Sequence, residues 1–323
     1  MSAPRARSGS WAARTSTASS GARASGRSSS AISRGNGRKS APSRRRIRRP
    51  RTANRTAKGT DMAKEIDLQG KVALVTGSGQ GIGKGIATVL SECGATVVVS
   101  DLNPDTTAAT AAELGAAALP LDVTDQDAFD AAIDQIVADH GSLDILVNNA
   151  GVYREYGGGI ADITPEMWRI LWSVNVDGVF YGCQAAARVM LAAGNGGRIV
   201  NIASTQAVSP GVGVTYDGSK AAVLQITRAL ALELGRTGIT VNAVAPGATW
   251  VNPGDPPPLD PNATIQLTGN GLADAVANRI ARIPAGRWAK PEEIGNAVAF
   301  VCSPLADYIN GIYLNVDGGW LTE

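Results

Sequence analysis

The sequence predicts an α/β fold: a single domain built on a doubly wound parallel sheet with helices on both faces. Three observations predict it. From Lys71 onward, short apolar runs alternate with helical stretches, and strands separated by helices need crossovers that leave the sheet parallel and covered on both sides. The first apolar run, Val72-Ala73-Leu74-Val75, opens directly through glycines into a helix. The chain has 323 residues, enough for one large α/β domain with additions.

Each element follows from that alternation. A strand over 71–76 leads through the glycines to a helix over 82–93, and a strand over 95–100 follows. The next helix, 105–114, is opened by Asn103-Pro104, a polar cap with proline at the first helical position. A strand over 116–121 precedes a helix over 125–139, capped by Thr124-Asp125. The strand at 143–147 is the apolar run Leu143 to Val147, and Thr164-Pro165 starts a long helix over 165–192. Strands at 198–203 and 239–244 flank a helix over 215–235, and helices at 271–282 and 291–302 precede a last strand at 312–316. One stretch breaks the pattern. Between Trp250 and Gly271, Pro253, Pro256, Pro257, Pro258 and Pro261 continue neither helix nor central strand, and so long a loop in a compact domain is usually functional or disordered.

The glycine turn reads Thr76-Gly77-Ser78-Gly79-Gln80-Gly81-Ile82-Gly83. A buried strand passing through glycines into a helix cradles a dinucleotide pyrophosphate, because the backbone approaches closely and the helix start offers N–H groups and a positive dipole end. The spacing is Thr-Gly-x-x-x-Gly-x-Gly, not the strict Gly-x-Gly-x-x-Gly. Asp101 ends the second strand, 20 residues after Gly81, where an acid binds the adenosine ribose hydroxyls. Asn149, Ala150 and Gly151 close the fourth strand, where a cofactor crosses the strand ends of an open sheet. Tyr216 and Lys220 stand four residues apart in Thr215-Tyr216-Asp217-Gly218-Ser219-Lys220 and share a helix face. A phenol of pKa about 10 is a poor acid at neutral pH, and a neighbouring ammonium lowers that value. Such a tyrosine gives a proton to a carbonyl oxygen or takes one from an alcohol.

With Asn148-Asn149-Ala150-Gly151, these motifs resemble the short-chain dehydrogenase/reductase family from about Gln69 to Gly319. The resemblance implies a Rossmann-type sheet of seven strands in the order 3-2-1-4-5-6-7. It implies a catalytic set in which Tyr216 is the general acid/base and Lys220 lowers its pKa and binds the nicotinamide ribose. Ser204 then steadies the substrate oxygen, and Asn175, which interrupts the long helix, helps hold a water that links Lys220 to solvent. Gly77, Gln80, Gly81, Ile82, Gly83 and Asp101 hold the cofactor. Asp122 and Val123 meet the adenine, with Asp122 equally able to cap its own turn, and Asn149, Ala150 and Gly151 line the middle, with holding the sheet backbone as the other reading of Asn149. Pro246, Gly247 and Thr249 meet the nicotinamide, although the order Ala248-Thr249-Trp250-Val251 departs from the usual placing of that threonine. Ser204 precedes Tyr216 by twelve residues, one fewer than usual, with Thr205 and Ser209 as rivals. The stretch 250–282 is expected as the substrate lid, and helices 165–192 and 215–235 as pairing surfaces of a homotetramer, with Ala185, Ala186, Ala187, Ala221 and Ala222 as small contacts. Tyr153, Arg154, Tyr156, Gln206, Val208 and Trp250 are expected around the substrate.

The acid at position 101, with no cation in Gln80 or Leu102-Asn103, favours NAD over NADP. The activity implied is hydride transfer between nicotinamide and a secondary alcohol or ketone. A 3-oxoacyl thioester is the other substrate class, and a dinucleotide-sensing protein without catalysis is the rival function. With His140 as the single histidine and no Gly-x-Ser-x-Gly elbow, a serine hydrolase is excluded, and no metal is expected.

Charge divides the chain. Residues 1–61 carry 16 of the 30 Lys and Arg against one acid, Asp61, whereas 62–323 hold the other 14 against 27 acids. The first 61 residues contain no Leu, Val, Phe or Tyr, so they bury too little apolar surface to order themselves and read as a disordered basic tail. Met62-Ala63-Lys64-Glu65-Ile66-Asp67-Leu68 looks like a natural start for this family, which makes the tail a mis-assigned or non-native extension ahead of a catalytic domain at 62–323. A transit peptide and a nucleic-acid arm around Arg44-Arg45-Arg46 are the other readings. The acidic body argues against nucleic acid. Cys93, Cys183 and Cys302 are scattered and odd in number, as in a reduced cytoplasmic enzyme, and no apolar run reaches the roughly 18 residues of a membrane span.

Overall fold

The computed structural model describes residues 66–153, 160–211, 213–252, 254 and 283–322. The chain divides into two units, Met1–Thr60 and Asp61–Glu323, and every described residue belongs to the second. The expected tail lies outside the described residues, as do the helix at 271–282, nearly all of the proline-rich stretch, Arg154 and Tyr156.

Seven strands form one sheet: β1 (Val72–Thr76), β2 (Thr96–Ser100), β3 (Ala117–Ala118), β4 (Ile145–Asn148), β5 (Gly197–Ile202), β6 (Ile239–Pro246) and β7 (Tyr313–Val316). Their order is β3-β2-β1-β4-β5-β6-β7 and every pairing is parallel, as the family resemblance implied. The helices are α1 (Gly81–Glu92), α2 (Pro104–Leu114), α3 (Gln126–His140), α4 (Pro165–Trp172), α5 (Gly178–Ala193), α6 (Val214–Leu234) and α7 (Pro291–Cys302). Side chains alternate across each strand, so Leu74, Leu146, Ile199 and Val241 pack with Phe129, Ile133 and Val223 on one face. Val75, Ile145, Val200 and Val244 pack with Ile86, Leu90, Ile294 and Val298 on the other. Caps stand where expected: Asn103 accepts from the Asp105 N–H at 2.9 Å and Asp125 from the Ala128 N–H at 3.0 Å.

There are three differences from expectation. β3 is two residues rather than six, although Leu119 and Leu121 still donate to the Val99 and Asp101 carbonyls at 2.9 and 3.0 Å on either side of Pro120, which stands at the sheet edge. The long helix expected at 165–192 is interrupted by a π-turn, Ser173–Asp177, with Asn175 at its centre. Ala185 and Ala186 are buried in the domain's own core, so they offer no surface to a partner. What α4 and α5 expose instead is larger: Trp168, Ile170, Phe180 and Leu191.

Candidate active site

A cavity of about 650 Å³ opens along the carboxyl ends of β1, β2, β4, β5 and β6. One end is the glycine turn. Gly77 has φ of 63°, a left-handed conformation, and a Cβ there would lie 2.7 Å from the Ala150 Cα. A Cβ on Gly83 would collide with the Gly77 carbonyl and the Asn149 side chain, so α1 packs on the turn only because residue 83 has none. Gln80, at the start of α1, makes no side-chain cap, unlike Asn103, Asp125 and Thr164. The first N–H groups of α1 are therefore left for an anion at the cavity wall, where Gly81, Ile82 and Gly83 stand.

The neighbouring corner is Asp101. Its Oδ2 accepts from the Gly79 N–H at 3.0 Å, tying the turn to the end of β2, and the carboxylate faces the cavity beside the exposed Leu102. Asp122 and Val123 also line the wall, and Asp122 fills its other reading too: its Oδ1 accepts from the Thr124 N–H at 2.9 Å and hydroxyl at 2.7 Å. Asn149 lines the cavity with Ala150 and Gly151, but its Nδ2 is spent on the Thr76 and Gly77 carbonyls at 2.9 and 3.0 Å. It braces the glycine turn.

At the other end Ser204, Tyr216 and Lys220 meet. Ser204 caps a 3-10 turn, accepting from the Gln206 N–H at 3.2 Å, and its hydroxyl lies beside Tyr216 at the cavity wall. The Tyr216 ring stands edge-on to Tyr153 with centroids 5.3 Å apart. Lys220 is buried, its Nζ donating to the Ile202 carbonyl at 2.9 Å and lying 5.8 Å from the Tyr216 ring centroid. The expected lowering of the phenol pKa is not found. Burial pushes Tyr216 up to about 12, with the Ser204 hydrogen bond pulling down and the Asp217 charge adding to the rise. Burial likewise pushes Lys220 down to about 8. Desolvation favours the neutral form of both groups, and the ammonium is turned to a carbonyl rather than to the phenol oxygen.

Among the described residues, five expected ones stand outside the wall: Asn175, Thr249, and Gln206, Val208 and Trp250, which were expected around the substrate. Asn175 is fully buried: its Oδ1 accepts from the Val152 N–H at 2.8 Å, and its Nδ2 donates to the Val152 carbonyl at 3.0 Å and Ser219 Oγ at 3.2 Å. The Thr249 hydroxyl donates to the Gly247 carbonyl at 3.2 Å, while Pro246, Gly247, Val251 and Asn252 form the wall there. Tyr313 was not foreseen. Its hydroxyl donates to the Ser204 carbonyl at 2.7 Å across 109 residues of sequence, a contact with no local signal.

A family model described as enoyl-(acyl carrier protein) reductase matches residues 77–321. The 2-dehydro-3-deoxy-D-gluconate 5-dehydrogenase of Dickeya dadantii (strain 3937) is 38% identical over 262 residues, covering 80% of this chain and 98% of that one. The sorbitol dehydrogenase of Cereibacter sphaeroides is 40% identical, covering 79% and 99%. A solved gluconate 5-dehydrogenase from Burkholderia cenocepacia J2315, in complex with NADP and tartrate, has a TM-score of 0.68 at 35% identity, covering 80% and 98%. The chain belongs to the short-chain dehydrogenase/reductase family. It is a nicotinamide-dependent oxidoreductase, and that reading holds over a non-catalytic dinucleotide sensor. No described helix is long and apolar enough to cross a membrane.

Proposed function

We propose that this enzyme interconverts a secondary alcohol of the polyol or sugar-acid kind with its ketone, favouring NAD over NADP. The observation that carries the reading is one cavity with the glycine turn and Asp101 at one end and Ser204, Tyr216 and Lys220 at the other. The bound nicotinamide supplies hydride chemistry at the substrate carbon. Tyr216 gives a proton to the carbonyl oxygen in reduction and takes one from the alcohol in oxidation. Ser204 hydrogen-bonds the same oxygen, and Lys220 supplies positive charge below the phenol and holds the nicotinamide ribose. The Asn175 amide fixes Val152 and Ser219, which keeps the wall behind Lys220 in place and leads towards solvent. Thr249, with its hydroxyl turned to Gly247, acts by holding the nicotinamide-facing loop. The gluconate and sorbitol relatives support the polyol class. The description of the matching family model favours an acyl thioester as a second reading. A panel of sorbitol, gluconate and an acetoacetyl thioester, assayed with both cofactors by NADH absorbance, separates the two.

The Burkholderia relative carries NADP, so the cofactor preference rests on this chain's own corner at Asp101 and Leu102. A carboxylate there accepts from ribose hydroxyls and repels a 2′-phosphate. Asp101→Ala with Leu102→Arg is expected to reverse the order of kcat/KM. Equal kcat/KM for both cofactors in the unmutated enzyme would sink the assignment.

Val251 and Asn252 line the cavity at the start of the 250–282 stretch, which supports that stretch as the substrate cover of a catalytic domain at 62–323. The three cysteines form no disulfide, which suits a cytoplasmic enzyme. Trp168, stacked on Trp172 at 4.8 Å, and Ile170, Phe180 and Leu191 are exposed apolar side chains of α4 and α5, which supports these helices as contacts for a second copy. A homotetramer is the expected mass by light scattering at micromolar concentration; a monomer would contradict it.

A further inference from the structure

Asp217 directly follows Tyr216 in the first turn of α6 and is buried. Its Oδ2 accepts from the Gly211 N–H at 2.9 Å and from the Gly213 N–H at 3.3 Å, and its own N–H donates to the Gly213 carbonyl at 2.9 Å. Hydrogen bonds to a carboxylate are shorter and stronger than neutral ones.

The segment held this way is the one that joins Ser204 to Tyr216. Its first part is tied to the Ser204 turn, since the Val208 and Ser209 N–H groups donate to the Thr205 carbonyl at 3.3 and 3.1 Å. Pro210 then has no N–H to give, and Gly211 and Gly213 lose more conformational freedom on ordering than other residues. Only twelve positions separate Ser204 from Tyr216, so slack in this loop passes directly to the distance between them. The carboxylate closes the span.

We propose that Asp217 is a positioning residue: by holding Gly211 and Gly213 it fixes the loop between Ser204 and Tyr216 and so keeps the two side chains together at the cavity wall. The inference rests on the reading of those hydroxyls as the pair that handles the substrate oxygen. It acts through the loop's geometry, beside the rise that its charge adds to the Tyr216 pKa, and it does not line the cavity.

The test compares Asp217→Ala with Asp217→Asn in the full chain, using the panel alcohol that the wild type oxidises fastest and NADH for binding. In Asp217→Ala, kcat is expected to fall about tenfold or more, towards the roughly 100-fold that a misplacement of about 1 Å costs, with NADH affinity unchanged. Asp217→Asn retains an oxygen able to accept both glycine N–H groups and is expected to recover most of the loss. Deuterium exchange at the Gly211 and Gly213 amides should quicken in Asp217→Ala and slow again in Asp217→Asn, whatever the substrate. Should Asp217→Ala not fold, Asp217→Ser, with a small polar side chain suited to a first helical turn, takes its place. Wild-type kcat beside fast-exchanging amides would overturn the proposal, as would unchanged exchange or an equal loss in the asparagine variant. Failure of the catalytic reading shows separately, as turnover retained in Tyr216→Phe.

Discussion

Tyr216→Phe is expected to fold, to bind NADH and to lose at least about a hundredfold in kcat, the low end for acid–base catalysis. The ring keeps its volume and its edge-on contact with Tyr153 at 5.3 Å, and neither needs the hydroxyl. What is lost is the proton and the partner of Ser204. Because burial holds the phenol up at about 12, its protonated form dominates at neutral pH. Carbonyl reduction therefore finds its donor ready, whereas alcohol oxidation needs the phenolate, whose fraction grows as pH rises towards that value. Oxidation by the wild type should climb across the alkaline range, and the residual rate of the variant should not. Near-normal turnover with an alcohol that the wild type accepts would return the protein to a binding role.

Lys220→Met is expected to lose turnover comparably and to bind NADH more weakly. The Ile202 carbonyl would lose its donor, a cost of about 1–3 kcal/mol for a buried group, while the penalty of burying an ammonium disappears with it. The two oppose each other, so the thermal midpoint should move little and lost activity is not unfolding. With its pKa held down at about 8, Lys220 is charged below that pH and neutral above it. Its positive charge beside the phenol fades as pH rises through 8, so the wild-type oxidation profile should carry an inflection there that Lys220→Met lacks. Since the pair acts as one unit, the double variant should be little worse than either single. Wild-type kcat and NADH affinity in Lys220→Met would remove the lysine from the mechanism.

The sheet was legible because apolar runs and helical stretches alternate cleanly, and the turn, Asp101, Ser204, Tyr216 and Lys220 were legible because each falls at a strand end or a helix start. Other features leave no periodic mark. The family resemblance marks Asn175 as the place where the long helix is interrupted, but a π-turn has wider hydrogen bonding than an α-helix with the same residue types, so its form was not legible. The direction of the Tyr216 shift depends on how much water the fold excludes, which a four-residue spacing does not encode. Asn149 lines the cavity, and its amide holds backbone as its other reading had it, although which carbonyls it meets, those of Thr76 and Gly77, is set only by the fold. Tyr313 and Asp217 act through chain segments that meet only after folding, one across the whole second half of the sheet and one across a glycine loop.

The bond from Tyr313 to the Ser204 carbonyl bears on how the enzyme is made. β7 is the last strand of the sheet, and it also receives the Gly247 N–H at its Val316 carbonyl, 3.0 Å away. During synthesis the nucleotide corner, built from β1 and β2, leaves the ribosome more than 200 residues before Tyr313. A nascent chain therefore holds β1 and β2 while Ser204 and Gly247 still lack these supports, and while α1 still waits for Ile294 and Val298 of α7. The end that does the chemistry is finished last: Ser204 and Gly247 gain these two supports only once the final strand is in the sheet.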